Sequence, residues 1–166
     1  MEEKFWHAEG QEVGKNLPYL TRRDLSNSLA SGAYTGFEIA RATKHTLGEA
    51  ERLKSQKILD KLFNEGKAVS HNGFTLVYLF VPLQTIYPAQ AGFSVPKRHF
   101  KHAHERNRIK RLMREAYRHH KLPLYEKLVA QQKQMAMMWV YKGKALPDYE
   151  TVTKEVLWCL GKIIAV

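Results

Sequence analysis

The sequence predicts an α+β fold, an α/β sandwich in which a small mixed sheet is served by a basic crossover helix. Two apolar runs of strand length, residues 74–81 and 135–141, alternate in a way that suits a pleated sheet. Apolar residues recur at helical spacing in three further segments, beginning near Ser55, His104 and Asp148. The middle helical segment falls between two strands, and a parallel pair needs a long crossover, so the strands on either side of it are expected to run parallel.

At 166 residues the chain suits one domain with an extension. Residues 1–45 are punctuated by Gly10, Gly14, Pro18, Ser26, Ser28, Ser31, Gly32 and Gly36, with no apolar periodicity longer than a turn. That composition predicts a weakly ordered amino-terminal extension, although Phe5, Trp6, Tyr19, Tyr34 and Phe37 are available to dock. The domain is expected over residues 46–166. Ser55 is placed to cap a first helix with Ile58, Leu59, Leu62 and Phe63 on one face and Gly66 as its stop.

In the strand at 74–81, Phe74, Leu76, Tyr78 and Phe80 share one face while Val77, Leu79 and Val81 share the other, as in a central strand. Pro82 and Pro88 mark a loop, and a short strand over 91–95 ends at Pro96. The basic helix is expected over 104–120, closing before Pro123, which disfavours helix in the residue preceding it. After the strand at 135–141, Asp148 opens a last helix with Val152, Val156, Leu160 and Ile163 or Ile164 on its apolar face.

The chain carries a formal charge of +11 and a pI near 9.8. Ten of its 27 Lys and Arg residues lie between Lys97 and Lys121, against Glu105 and Glu115, so this segment holds +8 of the total. Such clustering points to a polyanion, because a polyphosphate releases many counterions when matched by many cations. No run approaches the roughly 18 apolar residues of a membrane span, and the acidic start lacks a secretory pattern, so a cytoplasmic home without membrane contact is expected. The single Cys159 excludes an internal disulfide and reads as a small core residue.

Advancing about 100° per residue from Ile109 places Leu112, Met113, Ala116 and Tyr117 on one stripe facing the core. Asn107, Lys110, Arg111, Arg114, Arg118 and Lys121 form a polar stripe whose only charge is positive. An ordinary solvated helix would set Glu among these cations at i,i+4. Uniform positive charge without a base-reading pattern suits structured RNA held by backbone and shape better than DNA read by sequence.

The segment Gly92-Phe93-Ser94-Val95-Pro96-Lys97-Arg98, followed by Arg106-Asn107-Arg108-Ile109-Lys110-Arg111-Leu112-Met113-Arg114-Glu115-Ala116-Tyr117-Arg118, resembles the signature of the bacterial ribonuclease P protein component. The run from Leu53 to Gly66 resembles that family's opening helix, and the likeness extends over about residues 46 to 163. The resemblance implies a fold similar to the ribosomal protein S5 domain 2-like fold, with a left-handed crossover. It also implies a subunit of an endoribonuclease whose catalyst is a large RNA, so that no catalytic residue and no metal ligand is assigned to this chain.

In that reading the partners are the ribonuclease P RNA and precursor tRNA, whose 5′ leader is removed with Mg2+ bound chiefly by the RNA. Carried over by position, Lys97, Arg98, Arg106, Asn107, Arg108, Lys110, Arg111, Arg114 and Arg118 face RNA. Phe63, Phe74 and Tyr78 line a leader cleft between the sheet and the first helix, offering rings on which unpaired bases stack. Leu59 stands where the family often has an aromatic, and Pro96 where it usually has Ser.

Five of the eight His residues, His99, His102, His104, His119 and His120, flank the basic helix. With no Cys nearby they read as pH-dependent positive charge rather than a zinc site. The scattered acids Glu65, Glu105 and Asp148, and the lack of Walker-type, GxSxG or HExxH patterns, argue against a hydrolase centre on this chain. A non-catalytic RNA-binding module of ribosome assembly is the alternative that the same basic helix would serve.

Overall fold

The computed structural model describes residues 47–165, and the extension expected over residues 1–45 lies outside the described residues. A 3-10 turn at Glu49–Glu51 precedes α1 (Gln56–Glu65), β1 (Lys67–His71), β2 (Phe74–Phe80), β3 (Ala89–Ser94), α2 (Ala103–His120), α3 (Leu122–Ala130), β4 (Met135–Tyr141) and α4 (Tyr149–Ile164). The strands form one sheet in the order β1-β2-β4-β3. β1 and β4 flank β2 antiparallel, whereas β3 lies parallel to β4, as the intervening basic helix requires.

Strand periodicity assigns the two layers. On one face Phe74, Leu76, Tyr78, Met137, Trp139 and Tyr141 pack against Ile109, Met113, Ala116 and Tyr117 of α2, Leu124 and Leu128 of α3, and Val152, Val156, Cys159 and Leu160 of α4. On the other face Val77, Leu79, Ala136 and Met138 meet Leu62, with Ile58 and Leu59 half-buried beside it. β2 is therefore apolar on both sides because both sides are covered, the pattern expected of a strand between two layers. Cys159 is a buried core thiol, pushed up to about 12 by burial and then by the charge of Glu155.

β1 and α3 extend the expected pattern. β1 is an edge strand whose residues are largely exposed, with Val69 packed on the core, so it carries no strand-like run of apolar residues. Its signal is the turn beyond it. Asn72 (φ 42°) and Gly73 (φ 81°) occupy the left-handed region that a two-residue hairpin demands. The basic helix does end ahead of Pro123, but a second helix starts there at once, with proline tolerated in its first turn. Leu124, Tyr125 and Leu128 are its buried positions.

Ser55 and Gly66 bound α1 as expected, although the Ser55 side chain makes no capping hydrogen bond. Asp148 does cap α4, accepting from the Thr151 backbone N–H at 2.7 Å. Among the described residues no helix is long and apolar enough to cross a membrane.

Candidate nucleic-acid interface

The apolar stripe of α2 anchors the helix, and that decides which way its cations point. Ile109, Met113, Ala116 and Tyr117 are each fully buried, so the residues about 100° to 200° around the axis are turned outward. Asn107, Arg108 and Arg111 are exposed, and Lys110, Arg114 and Arg118 are half-buried. Lys97 and Arg98 lie exposed in the turn after β3, where the His99 N–H donates to the Pro96 carbonyl at 3.2 Å.

The cations divide by what holds them. Arg106 points back toward the loop before the helix, and its Nη1 donates to the carbonyls of Phe100 at 2.8 Å and Lys101 at 2.7 Å. It therefore ties to α2 the loop that follows the Lys97–Arg98 turn. The Arg114 guanidinium lies 5.8 Å from the centroid of the Phe93 ring, a distance that supports cation–π attraction. Arg118 grips Glu115 through two nitrogens, Nε reaching Oε2 at 3.1 Å, and His119 reaches the same carboxylate at 2.9 Å. The Arg118 hydrogen bond is the main reason the Glu115 carboxyl lies below its ordinary range.

Two sequence expectations are corrected here. Lys121, expected on the outward stripe, is 1% exposed. It is ion-paired with Glu51, itself fully buried. Glu51 also accepts from the Tyr125 hydroxyl at 2.7 Å and from the Gly48 N–H at 2.8 Å. The helical wheel ends with the helix, and Lys121 is already the capping residue between α2 and α3, so its wheel angle no longer sets its direction.

The second correction concerns the leader cleft. Phe74 and Tyr78, 1% and 5% exposed, belong to the main core beneath α2, α3 and α4. α1 covers the opposite face, to which strand alternation turns Val77 and Leu79. Phe63 alone of the three expected cleft residues presents its ring, being 57% exposed. The sheet face beside α1 offers instead Val77 and Val140, half-buried, and the hydroxyls of Ser70 and Thr75, 3.0 Å apart. Leu59, at the position where an aromatic is common, packs half-buried against this same face.

One residue that sequence reasoning missed joins the basic surface. Arg52, in the segment ahead of α1, lines a cavity of about 530 Å³ with Leu47, Arg111, Leu112, Arg114, Glu115 and Arg118. No periodicity marks it, because it lies outside the helix, and its neighbours are fixed by tertiary pairing. Among the described residues no group of three or more His, Cys, Asp or Glu side chains gathers into a metal-binding cluster.

Comparison with known proteins agrees with the geometry. The family model for ribonuclease P matches residues 47–164. The ribonuclease P protein component of Porphyromonas gingivalis strain W83 is 33% identical over 117 residues, which cover 70% of this chain and 85% of that protein. That of Chlorobium phaeobacteroides is 30% identical over 122 residues, covering 68% and 84%. In fold, the chain is similar to the RNase P protein of Staphylococcus aureus, with TM-score 0.56 and 20% identity over 69% of this chain and 96% of that one. The Thermotoga maritima RNase P protein superposes with TM-score 0.55 and 22% identity over 68% and 96%. With its basic helix, its mixed sheet and two thirds of its length matched, this chain belongs to the ribonuclease P protein component family, the protein subunits of the ribonuclease P holoenzyme.

Proposed function

We propose that this chain binds the ribonuclease P RNA in the cytoplasm through the outward face of α2 and the Lys97–Arg98 turn. In the assembled particle it holds the 5′ leader of precursor tRNA against the sheet face beside α1. The observation that carries the reading is the anchoring of α2: four buried apolar residues turn Asn107, Lys110, Arg111 and Arg114 outward as one continuous surface. Phosphates met there find guanidinium forks suited to bidentate contacts, and few acids to repel them.

The chain's task is electrostatic and positional. Two polyanions must come together, and fixed cations replace part of the counterion atmosphere that would otherwise oppose it. Mg2+ in this proposal is held chiefly by the RNA, where it supplies the hydrolytic chemistry. The protein lowers the magnesium concentration that assembly demands. Arg106 holds α2 and the loop before it in one arrangement, and the exposed Phe63 ring offers a stacking surface at the edge of the α1 face.

The test is cleavage of a 5′-extended precursor tRNA by the cognate ribonuclease P RNA at low, near-physiological magnesium, with and without the protein. Cleavage that needs both components supports the proposal. Tight RNA binding without any gain in cleavage refutes it and favours a ribosome-assembly role, and cleavage by protein alone places the chemistry on this chain.

A further inference from the structure

We propose that Arg52, Arg111 and Arg114 form a built phosphate pocket for the ribonuclease P RNA backbone, its outer wall supplied by the strap of residues 47–53 rather than by the basic helix. This rests on the reading of α2 as the RNA-binding surface and extends that surface to a segment which neither the helical pattern nor the motif marks.

The strap is fixed on both sides of Arg52. Glu51 is drawn inward to Lys121 and Tyr125, and on the other side the Leu53 N–H donates to the Ala91 carbonyl at 3.1 Å. Arg52 itself bridges to Ala91 in parallel register, extending the free edge of β3. The backbone is thus held while the exposed Arg52 lines the cavity shared with α2. The one carboxylate that lines the cavity, Glu115, is engaged by Arg118 and His119. Among the described residues none of Arg52, Arg111 and Arg114 has a carboxylate partner.

Four arginines line the cavity of about 530 Å³, of which Arg118 is paired with Glu115; the other three bring like charges to one place, and an anion bound among them is attracted to each. Leu47 and Leu112 form apolar walls, which lower the local dielectric and strengthen each guanidinium–phosphate contact. Planar forks approaching from two separate elements suit a phosphodiester, whose two free oxygens accept paired N–H donors.

The experiment is equilibrium binding of the full chain to ribonuclease P RNA across a potassium chloride series, using Arg52→Gln, Arg52→Lys and Arg111→Ala. Arg52→Gln is expected to weaken binding about tenfold and to reduce the salt slope by about one contact. Arg52→Lys is expected to keep the slope while recovering only part of the affinity, because a point charge replaces a fork. An exposed side chain leaves thermal stability unchanged in both variants, which separates binding from folding.

If Arg111→Ala lowers the slope while Arg52→Gln alters neither slope nor affinity, the pocket is refuted and the α2 reading stands. If neither variant changes binding, the α2 reading fails with it. A loss from Arg52→Gln confined to precursor tRNA binding by the assembled particle also refutes the assignment, since the phosphate would then belong to the substrate.

Discussion

Lys121→Ala isolates the buried ion pair that joins the strap to the end of α2. The native pair is almost fully withdrawn from solvent, with Lys121 and Glu51 side chains 1% and 0% exposed. Removing the ammonium leaves a buried carboxylate without its counter-ion, a loss that costs about 3 to 5 kcal/mol in comparable sites. Glu51 would keep the Tyr125 hydroxyl at 2.7 Å and the Gly48 N–H at 2.8 Å, so the lower end, about 3 kcal/mol, is expected. For a domain of roughly 120 residues this corresponds to a fall in Tm of about 10 to 15 °C. Urea and thermal unfolding followed by circular dichroism measure it directly. The double variant Glu51→Gln with Lys121→Met should recover most of the loss, because it removes the charge while keeping an acceptor for Tyr125. A loss below about 1 kcal/mol for Lys121→Ala, or a double variant no better than the single, would refute the claim that an unpaired buried charge is what costs stability.

Arg114→Ala should reduce the salt dependence of RNA binding by about one contact, read from log K against log salt; an unchanged slope would mean that this part of α2 faces solvent. Phe63→Ala should weaken binding of leader-bearing precursor by about 1 to 3 kcal/mol and leave mature tRNA unaffected, and equal losses on both would remove Phe63 from the leader site. Glu155 is opposed by burial, but hydrogen bonds from Asn72 at 2.9 Å and His71 at 2.6 Å hold its carboxyl below the ordinary 4.5. Its stabilising effect is therefore present above about pH 4.5 and is lost as pH falls through the depressed folded value, so Glu155→Gln should flatten the acid limb of the stability curve.

Residues whose partners lie within one turn or along one strand were legible from the sequence. The strand at Met135–Tyr141 and the cap at Asp148 follow from periodicity and local hydrogen bonding. So does the core stripe of α2, since Ile109, Met113, Ala116 and Tyr117 are neighbours along a single helix. β1 was hidden because an exposed edge strand needs few apolar residues, although Asn72-Gly73 beside a strong strand is a hairpin signal available in the sequence. The family motif separated a ribonuclease P subunit from a general RNA-binding module, a choice that charge and pattern left open.

The sequence by itself determined most of the elements, though not β1 or α3, together with the polarity of α2 and the class of partner, because helical and strand periods, capping chemistry and net charge are properties of neighbouring residues. Only the tertiary structure decided which face of β2 each helix covers. Phe74 and Tyr78 alternate with Val77 as well in one packing as in the other, and α1 settles the matter by lying on the Val77 side. Tertiary pairing likewise turned Lys121 inward to Glu51, 70 residues away in the chain, and set Arg52 beside Arg111 and Arg114. Charges remote in sequence meet only when the chain closes, and burial then determines whether a lysine serves the fold or its partner.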